Sequence, residues 1–299
     1  MTTTTLHPHV AGFSKRPKLR TGLGWLLTGV AGLCTLLTLI PLFAVLGFVL
    51  VRGIARFNLA LFTQLPPPPG LAGGGLGNAL VGTVVVVSLG TVMAVPLGVL
   101  TAVYLSEFCH TPVHREIARW LRLGINVWAG VPSVLVGVFV YGLLVSTGIV
   151  GYSAIAAGVA VAVLMVPMIV RATDAALHMV PPELRWASVG LGASHGDTVV
   201  RVVLPAALPS IVTGVMVAMA RAAGDTAALL FTALFSPFWP QGLFEPIATL
   251  SVLVYNLATM PFAPQQELAW AAAFCLVLLT LAASVLARLV MRRGGWCRL

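Results

Sequence analysis

From Gly24 to Val51 the chain reads GWLLTGVAGLCTLLTLIPLFAVLGFVLV, with no charged side chain. A helix of this sequence has no polar face to turn toward water, so it is stable only where lipid or protein surrounds it. A bilayer core about 30 Å thick takes about 20 helical residues. Five further runs reach that length, around residues 77–105, 123–147, 151–171, 203–234 and 267–290, which predicts an all-α polytopic membrane protein with about six transmembrane helices. Pro41, Pro96, Pro132 and Pro167 lie inside these runs. Membrane helices tolerate such prolines because packed neighbours satisfy the freed carbonyls, so kinks rather than helix ends are expected. The first run is too long for a secretory leader and no small-residue cleavage site follows it, so it is read as a retained span.

Only 8% of the residues are charged, against roughly 25% in an ordinary soluble domain. The net charge of +9 would suggest a nucleic-acid partner if the basic side chains formed one patch. Their placement follows the spans instead. With the N-terminus in the cytoplasm, 14 of the 17 Lys and Arg residues fall inside, among them Lys15, Lys18, Arg115, Arg119, Arg122, Arg171, Arg185 and Arg201. Arg52 and Arg56 fall outside, and Arg221 lies within a span. The positive-inside rule then predicts cytoplasmic termini, a tail at 1–23, a first span at 24–51, an external Pro/Gly-rich linker at 52–76 and a C-terminal tail at 292–299. The segment 236–266, with no Lys or Arg, is expected outside, and no nucleic-acid partner is required.

Chemistry-bearing residues are few. Cys34, Cys109, Cys275 and Cys297 share no close spacing, so neither a disulfide framework nor a metal site is indicated. His110 and His114 have i,i+4 spacing but no third ligand, and they surround Pro112 in a polar joint. The only lysines are Lys15 and Lys18, in SKRPKLR, so no lysine follows a glycine run as a nucleotide-binding phosphate loop requires. No cofactor is expected. Transport energy must come from a separate ATPase or from an ion gradient, and the scarcity of acidic residues within the spans, Asp225 being the principal one, disfavours proton coupling.

Against that background ARAAGDTAALLFTAL at 220–234 stands out, because it places Arg221 and Asp225 four residues apart in an apolar run. Each charge near a helix centre costs about 2.5–3.5 kcal/mol on insertion scales, so something must offset it. On one helix the two would share a face and could pair with each other. The pair either fixes helix packing or lines a pathway in which the guanidinium meets a tetrahedral oxyanion through forked hydrogen bonds, with Asp225 keeping the site from holding the anion too tightly. Arg171, beside Thr173 and Asp174, is a second station for a departing anion or simply a snorkelling arginine.

The joint from Arg171 to Arg201 is long beside its neighbours. PPEL at 181–184 starts a helix, with Glu183 at its positive end, and GLGASHG breaks it before a second short helix. Glu183 and Arg185 are expected to cap and solvate that helix. A dinucleotide reading of Gly190, Gly192 and Gly196 fails because no strand precedes them.

The spacing of Trp186-Ala187-Ser188, Gly192, Val202 and Leu204-Pro205 resembles the coupling-loop signature of bacterial ABC importer permeases, with Trp186 where that signature usually has Glu. PLGVLTAVYLSEF, VPSVLVGVFVYG, VPMIVRATDAALHMVPPELR and the 220–234 stretch, followed by PFW, PIATL, PFA, QELAWA and LAR, resemble the A-type permeases of phosphate ABC importers. Asp225 stands where those relatives usually carry Glu. The resemblance implies a type I importer permease core at 77–291, with a coupling loop at 174–201 through which Glu183, Arg185, Trp186, Ala187, Gly192, Leu204 and Pro205 engage the ATPase. It implies inorganic phosphate as substrate, with Arg221, Asp225 and Arg171 on its path. It further implies a second, C-type permease as heterodimer partner, two ATP-binding subunits, a periplasmic phosphate-binding protein and membrane lipid, in the bacterial cytoplasmic membrane. Another oxyanion such as sulfate or molybdate, or an ion-gradient carrier or anion channel, is the rival expectation.

Overall fold

The computed structural model describes residues 18–109 and 111–293. Lys15, Arg16, His110, Cys297 and Arg298, and the side chains of Lys18, Arg20, Arg292 and Arg293, lie outside the described residues. Among the described residues there are helices and loops and no strand.

Two compact units divide the chain near Phe48. The first consists of most of α1 (Lys18–Ile54), which begins six residues before the apolar run and continues through Pro41. Its apolar side chains are largely exposed, Trp25 to 75% and Phe43 to 65%, which suits a helix surrounded by lipid.

The second unit, Val49–Leu299, holds the packed core. After α2 (Leu59–Thr63), the long helix α3 (Gly77–Glu107) runs through Pro96, and α6 (Ala154–His178) runs through Pro167 and packs along it. Small residues permit the close approach: a Cβ at Gly90 would lie 2.6 Å from Val161 Cγ1, and one at Gly98 would lie 2.7 Å from Ile169 Cγ2. Between them the chain forms α4 (Pro112–Trp128) and α5 (Ser133–Val140), the latter continued by a π-helical turn at Tyr141–Val145. After α6 the chain forms α7 (Pro182–Gly190) and α8 (His195–Thr198), then a π-helical turn at Val199–Val203 leads into α9 (Leu204–Gly224). The short α10 (Ala227–Thr232) and α11 (Leu250–Ala258) precede α12 (Ala263–Arg293). Val86, Ala94, Val161, Met165, Ile169, Ala218 and Ala222, from α3, α6 and α9, form the largest buried cluster.

Three expectations are corrected. The run at 123–147 is not one straight span, because α4 and α5 meet at 101°, so among the described residues five helices are long and apolar enough to cross a membrane, or six if the bent pair counts as one. Pro132 is the N-cap of α5, with extended backbone at ψ 138°. Its ring and missing N–H end the preceding helix instead of kinking it, whereas the other three prolines sit inside continuous helices. The run at 203–234 also breaks: α9 stops at Gly224, and Asp225 is extended at φ −72°, ψ 121°. Apart from these three, the segment 236–266, expected outside, is not all irregular, since it contains α11. Leu250, Val252 and Leu253 of α11 are at most 2% exposed and α11 packs on α12, a nine-residue apolar helix too short to register as a span.

Candidate functional site

The bend between α4 and α5, the middle of α6 and the end of α9 enclose a cavity of about 250 Å³. Arg221 and Asp225 both line it, with Pro167 and Met168 from α6, Ala218 and Ala222 from α9, and the bend residues from Trp128 to Ser133. Among the described lining residues Arg221 is the one cation and Asp225 the one anion. The alanines on either side of Arg221 leave its guanidinium room, and the residue is exposed toward the opening.

The bend adds a second positive feature. Pro132 offers no side-chain cap to α5, and Ser133, the first residue of that helix, lies on the cavity wall. First-turn N–H groups have no intrahelical partner and carry the positive end of the helix dipole. A guanidinium on one wall and a helix N-terminus on another make a setting for an anion. Sequence reading treated the bend residues as mid-span; the Gly130-Val131-Pro132 break was the local signal for them.

The expected Arg221–Asp225 pair is not formed. Asp225 has left the helix, and no ion pair within 4.0 Å joins the two among the described residues. Asp225 Oδ1 instead accepts from Ala228 N at 3.0 Å, closing the first turn of α10, and its carbonyl accepts from Ser251 Oγ at 3.0 Å. An aspartate that accepts from the amide three residues on is a helix-start signal, and it competes with helix continuation past Gly224. The two charges therefore face one cavity from separate elements.

Arg171 does not line the cavity. It sits one helical turn beyond Pro167 and Met168 on α6, which continues to His178, and its Nη2 donates to Asn126 Oδ1 on α4 at 2.8 Å. Beside it Arg122 Nη2 lies 3.7 Å from Asp174 Oδ1. His114 has Phe108 O 3.4 Å from its Nδ1, and no cluster of three metal-ligating side chains occurs among the described residues.

At the same end of the bundle α7 and its C-cap residue Leu191 present exposed apolar side chains. Trp186 is 69% exposed and Leu191 90%, and Glu183 and Ala187 are exposed as well. Gly192, at φ +89°, turns the chain between the two helices, and Ser194 Oγ caps α8 by accepting from Asp197 N at 3.1 Å. Leu204 and Pro205 belong to the first turn of α9 and are partly buried. Arg185 departs from expectation by turning inward. Its Nη2 donates to Glu107 Oε1 at 2.8 Å and to Leu177 O at 2.9 Å, its Nη1 to Val180 O at 2.7 Å, and its Nε to Glu107 Oε2 at 3.3 Å. Glu107, the last residue of α3, is 4% exposed, and its carbonyl also meets His195 Nε2 of α8 at 2.8 Å. One residue thus holds both short helices. Sequence reading missed Glu107 because its partner is 78 positions away; the signal was an acidic residue closing an otherwise uncharged span.

Comparison with known proteins fits this geometry. Residues 94–294 match the family model described as binding-protein-dependent transport system inner membrane component. The chain is 37% identical over 242 residues to the phosphate transport system permease protein PstA of Yersinia pestis, covering 81% of each chain. It is 38% identical over 264 residues to the PstA of Haemophilus influenzae, covering 88% of this chain and 92% of the relative. Among solved structures, a bacterial alginate ABC transporter chain superposes with a TM-score of 0.64 at 15% identity, covering 93% of this chain and 98% of that one. A chain of the MetNI methionine ABC transporter gives 0.54 at 21% identity, covering 73% of this chain and 94% of that one. At those identities the structural likeness concerns the fold.

Proposed function

The chain belongs to the PstA family of phosphate transport system permease proteins, within the binding-protein-dependent inner membrane components, and from that premise we propose how it moves its substrate. It is a multi-pass subunit of the inner membrane that carries inorganic phosphate inward as the permease of an ATP-driven importer. The observation that carries the mechanism is a single cavity lined both by Arg221 and by Ser133, the first residue of α5. Phosphate entering from outside is received there by forked hydrogen bonds from Arg221 and by the backbone amide of Ser133 at the start of α5. Asp225, also on the cavity lining and held by its hydrogen bond from the first turn of α10, limits how tightly the anion is held. Arg171, one turn further along α6, is the next cation the anion meets as it leaves.

Energy arrives at the other end. Both termini and α7–α8 lie on the cytoplasmic side by the distribution of Lys and Arg. There Trp186, Ala187 and Leu191 present a bare apolar surface of the kind a partner covers. An ATP-binding subunit docks on this surface, a second one on the matching loop of a C-type permease partner, and a periplasmic phosphate-binding protein delivers substrate. Movement of α7 reaches the bundle through the Arg185–Glu107 pair at the end of α3.

Two measurements check this reading. The assembled importer, with its binding protein loaded in turn with phosphate, sulfate or molybdate, is expected to hydrolyse ATP faster with phosphate; stimulation by another oxyanion alone would replace phosphate as the substrate. Gly192→Leu tests the docking surface. No atom lies within 4 Å of the site of a new Cβ, so the strain comes from the φ of +89° and amounts to about 1–2 kcal/mol. The variant should co-purify with less ATPase than the unaltered chain, and an undiminished yield would remove Gly192 from the docking element.

A further inference from the structure

We propose that α4 is a membrane-surface helix, seating its apolar face in the acyl boundary of the leaflet on the coupling side and binding anionic phospholipid headgroups through Arg115 and Arg119. At about 100° per residue, Val113, Ile117, Trp120 and Val127 fall on one side of this helix and Arg115, Arg119 and Arg122 on the other. A third strip, Ala118 and Ile125, is buried with Ala102, Leu105 and Val170 from α3 and α6. This packing leaves the apolar side uncovered: Val113 is 68% exposed, Trp120 64% and Val127 65%, and Val113, Ile117, Trp120 and Leu121 line an open groove with the carboxylate of Glu116, which lies 3.6 Å from Arg119, at its charged edge. In water such a face would be a liability.

Topology and charge choose its occupant. The membrane-crossing α3 ends at Glu107, α4 starts at Pro112, and α5 departs from α4 at 101° into an uncharged SVLVGVFV segment. A helix tied at both ends to elements that enter the apolar layer, and nearly perpendicular to the one that follows, lies along the surface. Its arginines divide by role. Arg122 turns inward, donating to Leu105 O at 3.1 Å, whereas the Arg119 side chain is 79% exposed and Arg115 is exposed too. Glu116, 3.6 Å from Arg119, offsets only one of these two outward charges. An apolar face flanked by outward guanidiniums matches acyl chains beneath phosphate headgroups, and an indole such as that of Trp120 belongs at that depth. Another membrane helix docking on the groove would have no use for the flanking charge.

Trp120 itself is the probe. In the complete importer reconstituted into bilayers of phosphatidylglycerol and phosphatidylcholine, the emission difference between the unaltered chain and Trp120→Phe isolates this indole. Bromine near the top of the acyl chains is expected to quench that difference by at least about half. Absence of quenching would mean that protein, such as a partner subunit, covers the face, and would overturn the proposal. At equal mole fraction, brominated phosphatidylglycerol is expected to quench several-fold more than brominated phosphatidylcholine, since one arginine near an anionic headgroup is worth about fivefold. In Arg115→Gln/Arg119→Gln the preference should fall to about one while quenching by brominated phosphatidylcholine persists. Equal quenching by the two lipids in the unaltered chain would also overturn it.

Discussion

Arg221→Gln is expected to lower phosphate uptake at least about tenfold while leaving the importer assembled. Glutamine keeps a donor at the cavity wall but loses the charge and the fork, and hydrogen bonds to a charged group are worth about 1.5–3 kcal/mol each. One such loss at the transport-limiting state is about tenfold or more in rate. Arg221 is exposed toward the cavity and makes no ion pair among the described residues, so its replacement removes no structural contact that holds α9 to α6. That contact rests on Ala218, Ala222 and Val215, which stay in place. Uptake assayed beside the yield of co-purified ATPase separates the two effects. Normal uptake in the variant would remove Arg221 from the path, and Arg221→Lys, which keeps the charge without the fork, should recover only part of the rate.

Glu107→Ala is expected to be the most damaging single change outside the cavity. The carboxylate is buried at the end of α3 and takes two hydrogen bonds from Arg185, so its removal strands a largely buried guanidinium. Breaking a buried pair from one side costs about 3–5 kcal/mol, reduced here because Arg185 keeps its bonds to Val180 O and Leu177 O. The consequence is local, a loosened α7, so the expected phenotype is a transporter whose ATP hydrolysis no longer rises when loaded binding protein is added. Removing both partners in Glu107→Gln/Arg185→Met should recover more stability than Glu107→Ala retains, because no unpaired charge remains. Unchanged stimulation in Glu107→Ala would contradict a coupling role for the latch.

What sequence conveyed about the fold depended on run length. The long helices declare themselves because an uncharged stretch of 20 or more residues has few other solutions. The bend at 129–132 is hidden inside such a run, since α5 is as apolar as a straight span, and only Gly130 and Pro132 mark it. α11 is hidden for the opposite reason: nine residues are too few to signal a membrane element, yet packing on α12 buries them.

The site divides in the same way. Arg221 was legible as an unexplained charge within a span. Its relation to Asp225 was not, because i,i+4 reasoning assumes a helix that Gly224 and the Asp225 cap interrupt. The α7–glycine–α8 hairpin followed from Pro181-Pro182 and GLGASHG, whose effects are local. The inward turn of Arg185 depends on Glu107, 78 positions earlier, and long-range pairing of this kind leaves no periodic trace.

Uptake of labelled phosphate into sealed proteoliposomes is the most direct test of the central claim. The complete importer, with loaded binding protein outside and ATP inside, should concentrate phosphate against its gradient, and this chain reconstituted alone should move none with or without an imposed ion gradient. Uptake by the chain alone, driven by an ion gradient or running passively, would make it a carrier or channel and contradict an ATP-driven permease.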